Sequence, residues 1–224
     1  MRYFFLFISL FSSLYSLDKS YEEGKKIYER TCASCHGING IPNPEIKFIV
    51  SPRNLSKSIL TEEQNYHIIK DGSHFWGSSA DIMPAFKTLY NDYQMRSIAF
   101  YIKEAFNPNV DTKVKELYAI SDSIPKEKQE KMLTHGKKIY MRNCSWCHGA
   151  TGEGDGEATR HPELSIFPYN LKKALLTNEQ MFLYAKYGGQ FWGTHKDDMP
   201  SWSRKYDDYT LKSVIRYIDE TFKQ

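Results

Sequence analysis

The sequence is short of cysteine, of net charge and of long apolar runs, and each shortage excludes something. Only four cysteines occur in 224 residues, all in two short motifs, so no thiol is left over for a bridge elsewhere. Thirty Lys and Arg stand against 27 Asp and Glu, a surplus of +3. That is too weak for bulk charge to argue nucleic-acid binding. Beyond the N-terminus no apolar stretch approaches the roughly 20 residues a membrane-spanning helix needs. No run alternates apolar and polar residues with the period of a half-buried strand, so a β architecture has no support. A chain with 41% hydrophobic and 25% charged residues is neither disordered nor collagen-like. At roughly 100–200 residues per domain, this length suits one large or two small domains. Aromatics are plentiful instead: 16 Tyr and 13 Phe supply flat apolar surfaces suited to covering something.

The N-terminus has the pattern of a targeting segment. Arg2 precedes an almost wholly apolar stretch from Tyr3 to Phe11, and Ser12, Ser13 and Ser16 offer small residues for cleavage. A charged start, an apolar run of about 7–15 residues and small residues make a secretory signal peptide. Asp18 and Lys19 end the run too early for a span. Residues 1–16 are therefore expected to direct export to the periplasm, with retention as an uncleaved anchor the alternative.

The cysteines form two C-x-x-C-H motifs, Cys32-Ala-Ser-Cys35-His36 and Cys144-Ser-Trp-Cys147-His148. This is the attachment signature for c-type haem. Thiols three positions apart share one side of a helical turn and can both bond one porphyrin. The following imidazole then reaches the iron. A disulfide would leave both histidines unexplained, and a structural zinc site wants four ligands where each motif offers three. Two covalently attached haem c groups are expected, on Cys32 and Cys35 and on Cys144 and Cys147.

The motifs expose an internal repeat. Gly24-Lys-Lys-Ile-Tyr28 precedes the first and Gly136-Lys-Lys-Ile-Tyr140 the second, an offset of 112. Downstream the offset becomes 116, pairing Pro52 with Pro168, Leu60-Thr61 with Leu176-Thr177, Phe75-Trp76-Gly77 with Phe191-Trp192-Gly193, and Met83-Pro84 with Met199-Pro200. The second copy thus has four extra residues around Gly152-Glu-Gly-Asp-Gly156. A period this long is a duplicated domain. Duplication also selects the axial ligands. Of seven histidines only His36 and His148 correspond, and of seven methionines only Met83 and Met199. A methionine is by default core filler, but two in register, each before a proline, read as iron ligands opposite the histidines.

Helical spacing predicts helices over Tyr21–Arg30 and about Lys131–Asn143 leading into the motifs. Short helices follow near Thr61–Asp71 and Thr177–Tyr187, and closing helices over Asp92–Phe106 and Asp208–Phe222. The chain divides into 17–107, a linker over 108–130, and 131–224.

With these motifs in place, each half resembles a class I cytochrome c domain, and the whole resembles a di-haem cytochrome c of the bacterial periplasm. The resemblance covers about 21–106 and 131–222. It rests on Gly24/Tyr28/Cys32 and Gly136/Tyr140/Cys144, on Pro52/Leu55 and Pro168/Leu171, on Met83-Pro-Ala-Phe86 and Met199-Pro-Ser-Trp202, and on Gly72 and Gly188 upstream. It implies an all-α fold of two tandem class I cytochrome c-like domains, each with a few helices around its haem. It also implies that the Pro52 and Pro168 carbonyls orient the haem histidines.

Phe75, Trp76 and Phe86, with Phe191, Trp192 and Trp202, are expected around the rings, and Arg53 is a candidate partner for a haem propionate. Lys172-Lys173 and Arg204-Lys205 are a candidate docking face. With both axial positions filled, the function expected is single-electron transfer rather than catalysis. The partners would be other redox proteins: a respiratory dehydrogenase, a quinol-oxidising complex, an oxidase or a peroxidase. The carrier would be soluble or loosely membrane-associated, alone or in a larger complex. The alternative is a di-haem oxidoreductase of peroxidase or thiosulfate-oxidising type with one exchangeable distal ligand, where His74 or His195 would serve.

Overall fold

The computed structural model describes residues 17–46, 51–78, 83–119, 126–161, 168–194 and 199–223. Residues 1–16, expected from the sequence to be a signal peptide, and His195 lie outside them. Among the described residues there is no strand, and no helix is long and apolar enough to cross a membrane.

Each half is built on a long closing helix. In the first half α1 (17–27) passes through a π turn, Tyr28–Cys32, into the short α2 (Ala33–His36). Then come α3 (Glu62–Asp71) and the closing α4 (Asp92–Phe106). After α5 (Val110–Ala119), the second half repeats the plan with α6 (Lys126–Ile139), a π turn at Tyr140–Cys144, α7 (Ser145–His148), α8 (Asn178–Tyr187) and α9 (Asp208–Phe222). The sequence predicted one unbroken helix into each motif. Instead the Ala33 N–H donates to the Tyr28 carbonyl, and the Ser145 N–H to that of Tyr140, five residues back. Single π turns of this kind mark functional sites.

Side chains start the later helices. Thr61 accepts from the Gln64 N–H while Gln64 accepts from the Thr61 N–H, a capping box repeated by Thr177 and Gln180. Asn91 and Gln94 do the same for α4, and Asp207 caps α9 through the Thr210 N–H at 2.8 Å.

Two apolar cores follow. Tyr28, Ile69, Met95, Ile98 and Ile102 pack in the first; Tyr140, Phe182, Leu211, Val214 and Ile218 pack in the second. α1 meets α4, and α6 meets α9, at glycines. A Cβ on Gly24 would lie 1.9 Å from the Ser97 carbonyl oxygen, and one on Gly136 1.9 Å from that of Ser213. Only glycine permits backbones this close, which is the reason for the repeated Gly-x-x-x-Tyr.

The segment read as linker proves structured. Val110 and Val114 of α5 are buried in the second core, and Tyr118 meets the Phe182 ring edge-on with centroids 5.5 Å apart. Its sequence of mixed charges hid two valines four apart on one helical face.

The halves pack on each other about a pseudo-two-fold axis. The Asn54 N–H donates to the Gly193 carbonyl at 2.8 Å, and its counterpart Asn170 donates to Gly77 at 2.7 Å. On the axis Gln64 and Gln180 exchange side-chain hydrogen bonds, 2.7 and 2.8 Å long. Each residue contacts its partner's equivalent, as a two-fold interface requires.

Candidate functional site

Each half contains one large apolar cleft. The first has a cavity volume of about 220 Å³ and is walled by Cys32, Cys35, His36, Pro52, Met83 and Phe86 among others. The second has a cavity volume of about 160 Å³ and is walled by Cys144, His148, Pro168, Met199 and Trp202 among others. Cys147 sits beside this wall, partly buried, rather than in it. The residues that recur in register thus converge on one space in each copy.

The histidines are held for ligation. His36 Nδ1 lies 3.0 Å from the Arg53 carbonyl and His148 Nδ1 3.0 Å from the Tyr169 carbonyl. A carbonyl can only accept, so Nδ1 carries the proton and Nε2 keeps its lone pair. Burial pushes both imidazoles below their ordinary pKa, which keeps them neutral and able to bind a metal. The expectation that the Pro52 and Pro168 carbonyls hold these rings is corrected: the acceptor is the next residue in each copy. Successive carbonyls of a non-helical chain point to opposite sides, and Arg53 and Tyr169 are the ones that face the imidazole. Pro52 and Pro168 remain as cleft walls.

The turn after each motif is pinned from within. Tyr28 donates to the Gly37 carbonyl and Tyr140 to that of Gly149, both at 2.7 Å. Those glycines have φ of +75° and +78°, which ends the helix behind the histidine. The four extra residues fold back on the second motif: Gly154 donates to the His148 carbonyl and Gly156 to that of Cys147.

The methionine segments are fixed through their backbones. Ser73 N–H donates to the Met83 carbonyl at 3.0 Å, and Gly189 N–H to that of Met199 at 2.8 Å. Phe86 N–H reaches Ile69, and Trp202 N–H reaches Ala185, at 2.9 and 3.0 Å. A Cβ on Gly188 would meet the Met199 carbonyl at 2.8 Å, so the glycine upstream is required by close approach.

None of the four cysteines is in a disulfide, so all four sulfurs are available for haem attachment. Before attachment, burial and a neighbouring cysteine push the Cys32 and Cys144 thiols up to about 12. Among the described residues no three His, Cys, Asp or Glu side chains cluster as a metal site. Buried neutral thiols beside an apolar cleft suit attachment to a flat macrocycle better than zinc.

The aromatic shell is smaller than expected. Phe86 and Trp202 wall their own clefts, but Phe75 is 58% exposed and Phe191 54% exposed. Trp192 is wholly buried, its indole donating to Leu183, while Trp76 walls the second copy's cleft across the interface. His74 is exposed, with Nδ1 against Ser78, and reaches neither cleft. Of the basic pairs, Lys172 is bound to Glu153 at 2.7 Å and Lys205 to Asn143 at 2.9 Å. Gln64 and Gln180 were missed as functional positions, although the Thr-x-x-Gln spacing in both copies signals them.

Comparison with known proteins agrees with this geometry. The model of the family described as cytochrome c oxidase, cbb3-type, subunit III matches twice, over residues 19–102 and 131–218. A curated relative, the Cbb3-type cytochrome c oxidase subunit CcoP of Azospirillum sp. (strain B510), is 23% identical over 211 residues. The match takes in 87% of this chain, which spans 60% of that relative's length. A chain of the Kuenenia stuttgartiensis reducing HAO-like protein complex aligns at TM-score 0.45 and 22% identity, over 89% of this chain and 96% of its own. The molecule is an all-α di-haem c-type cytochrome of two tandem class I cytochrome c domains, with two covalently bound haems. By two family matches over most of its length, the chain belongs to the cytochrome c oxidase, cbb3-type, subunit III family.

Proposed function

We propose that this is a periplasmic carrier of single electrons, with its haems ligated by His36 and Met83 and by His148 and Met199. The observation that carries the reading is that each cleft is walled by both a histidine with its Nδ1 on a carbonyl and a backbone-anchored methionine. A haem bound there would supply a one-electron iron couple, and ligation by a histidine and a methionine would favour its reduced form. His36 and His148 are oriented by Arg53 and Tyr169, and Cys32, Cys35, Cys144 and Cys147 are the attachment points. Leu60, Ile69 and Phe86 in one copy, and Leu171, Ile218 and Trp202 in the other, exclude water from the walls. Excluding water lowers the local dielectric and with it the reorganisation that accompanies a change of charge. With a histidine and a methionine committed to holding each iron, no ligand position would be left for a substrate, which favours transfer over catalysis.

The expected partners are other redox proteins: a dehydrogenase, a quinol-oxidising complex, an oxidase or a peroxidase. Kinship with a protein named as an oxidase subunit supports a place within such an assembly. The charged, apolar and small-residue pattern of 1–16 supports export. The test is a reductive titration followed by absorption spectra with and without carbon monoxide. Two one-electron steps, unaffected by the gas, are expected. A carbon monoxide adduct in the wild-type protein would overturn the ligation at that iron.

A further inference from the structure

The two clefts share a wall, and that wall departs from the symmetry of the rest. Arg53, Leu60, Ile68, Ser73, Tyr169 and Thr194 line both of them. Most of the interface obeys the pseudo-two-fold, as the Gln64–Gln180 and Asn54–Asn170 pairs do. Arg53 does not: its counterpart is Tyr169, and the partner its guanidinium reaches, the Tyr184 hydroxyl, has Ile68 as counterpart. The wall therefore holds one permanent cation where symmetry would place two or none.

This cation is poorly compensated among the described residues. Its partners are the Tyr184 and Tyr169 phenols, and no carboxylate among the described residues pairs with it. A charge in an apolar wall is stable only when paired. Thr194, which lines the same two clefts, has a buried Oγ1 with no hydrogen-bond partner among the described residues. A buried polar atom left unsatisfied by the chain calls for an explanation, and a bound polar group is one that fits a cleft wall. A guanidinium, a phenol and an orphaned hydroxyl facing one space make an anion site, and the anions native to a haem cleft are the macrocycle's own carboxylates.

We propose that Arg53, with Tyr169 and Thr194, forms one carboxylate-binding site in the shared wall that serves the haem side chains and sets the two reduction potentials apart. The proposal rests on the di-haem reading above. A fixed cation disfavours the more positive, oxidised iron and so raises the potential of the nearer site. The guanidinium ends on Tyr184, which walls only the second cleft, so the site of Cys144 and His148 is raised more. Because the cation lies in the wall between the clefts, salt screens it far less than a surface charge.

The test is redox titration by spectroelectrochemistry of the mature protein and of the Arg53→Gln, Arg53→Met and Arg53→Lys variants. In the wild type, two midpoints are expected at least tenfold apart in reduced-to-oxidised ratio, about 59 mV for one electron. They should stay apart at about 0.5 M salt. Arg53→Gln and Arg53→Met should shrink the gap by about tenfold in that ratio, and Arg53→Lys should keep most of it. Coincident wild-type midpoints, a gap that collapses in salt, or an unchanged gap in either neutral variant would overturn the proposal. Should the neutral variants not accumulate, the wild-type titration and its salt series decide alone. Intact mass after denaturation separates the two readings: fewer than two haems on the wild-type chain defeats the di-haem reading, not the role of Arg53.

Discussion

Replacing Gln180 by leucine tests whether the interface about the pseudo-two-fold is a structural element or a loose docking of two domains. The Gln180 side chain uses its whole hydrogen-bonding capacity. Its amide nitrogen donates to the Ile59 carbonyl and to Gln64 Oε1, and its oxygen accepts from the Thr177 N–H and from Gln64 Nε2. Both glutamines are buried, Gln180 at 1% exposure and Gln64 at 7%. Leucine matches the volume but leaves the Ile59 carbonyl, the Thr177 N–H and half of the Gln64 amide without partners. A buried orphan costs about 1–3 kcal/mol, so Gln180→Leu should destabilise the protein by about 4 kcal/mol. For a chain of this size that lowers the midpoint of thermal unfolding by about 8–16 °C, readable by far-ultraviolet circular dichroism of the haem-loaded protein.

The double variant Gln64→Leu/Gln180→Leu removes both members of the reciprocal pair, so neither amide is stranded by loss of the other. It should cost less than the sum of the single changes, with a coupling of about 2 kcal/mol. Additive single effects, or a Gln180→Leu protein within about 1 kcal/mol of wild type, would refute the argument.

Three further outcomes are expected. Met83→Ala and Met199→Ala should each lower one reduction potential, abolish one methionine–iron charge-transfer band and open one iron to carbon monoxide; unchanged spectra in either variant would remove that methionine from ligation. Gly136→Ala places a methyl 1.9 Å from the Ser213 backbone oxygen, where no flexible side chain can yield; overpacking of this kind should lower stability by about 3 kcal/mol in urea titration, and a neutral effect would show that α6 and α9 can move apart. Asp207 is held below the usual carboxylate range by hydrogen bonds from the Thr210 hydroxyl and N–H. Its stabilisation is therefore fully present above the unfolded value near 3.9 and is lost as pH falls through the lower folded value. Asp207→Ala should cost about 1 kcal/mol at pH 7, with a difference from wild type that narrows as the pH drops below about 4; a pH-independent difference would contradict the cap.

What the sequence determined by itself was the chemistry and its duplication. Cys32, Cys35 and His36, repeated as Cys144, Cys147 and His148, are a local pattern whose function lies in covalent spacing, and spacing survives without a fold. Met83 and Met199 stand out because a duplicated chain compares itself: filler drifts between copies, whereas these two remain in register. Gly24 and Gly136 were visible as repeats, but not the 1.9 Å approach that requires them.

Tertiary structure alone decided what depends on direction and on elements distant in the chain. Which carbonyl meets each imidazole turns on how the backbone after Pro52 and Pro168 faces the ring, and one residue's shift reverses it. The burial of Val110 and Val114 required α8 to be beside them, and the exposure of Phe75 and Phe191 required knowing what lay elsewhere. Gln64 and Gln180 stand 116 positions apart, and only the packing of one half on the other makes them a pair. The same packing sets Arg53 of the first half against Tyr184 of the second, because a two-fold interface brings each copy's surface onto the other's and turns a single unmatched side chain into an asymmetry between two otherwise equivalent sites.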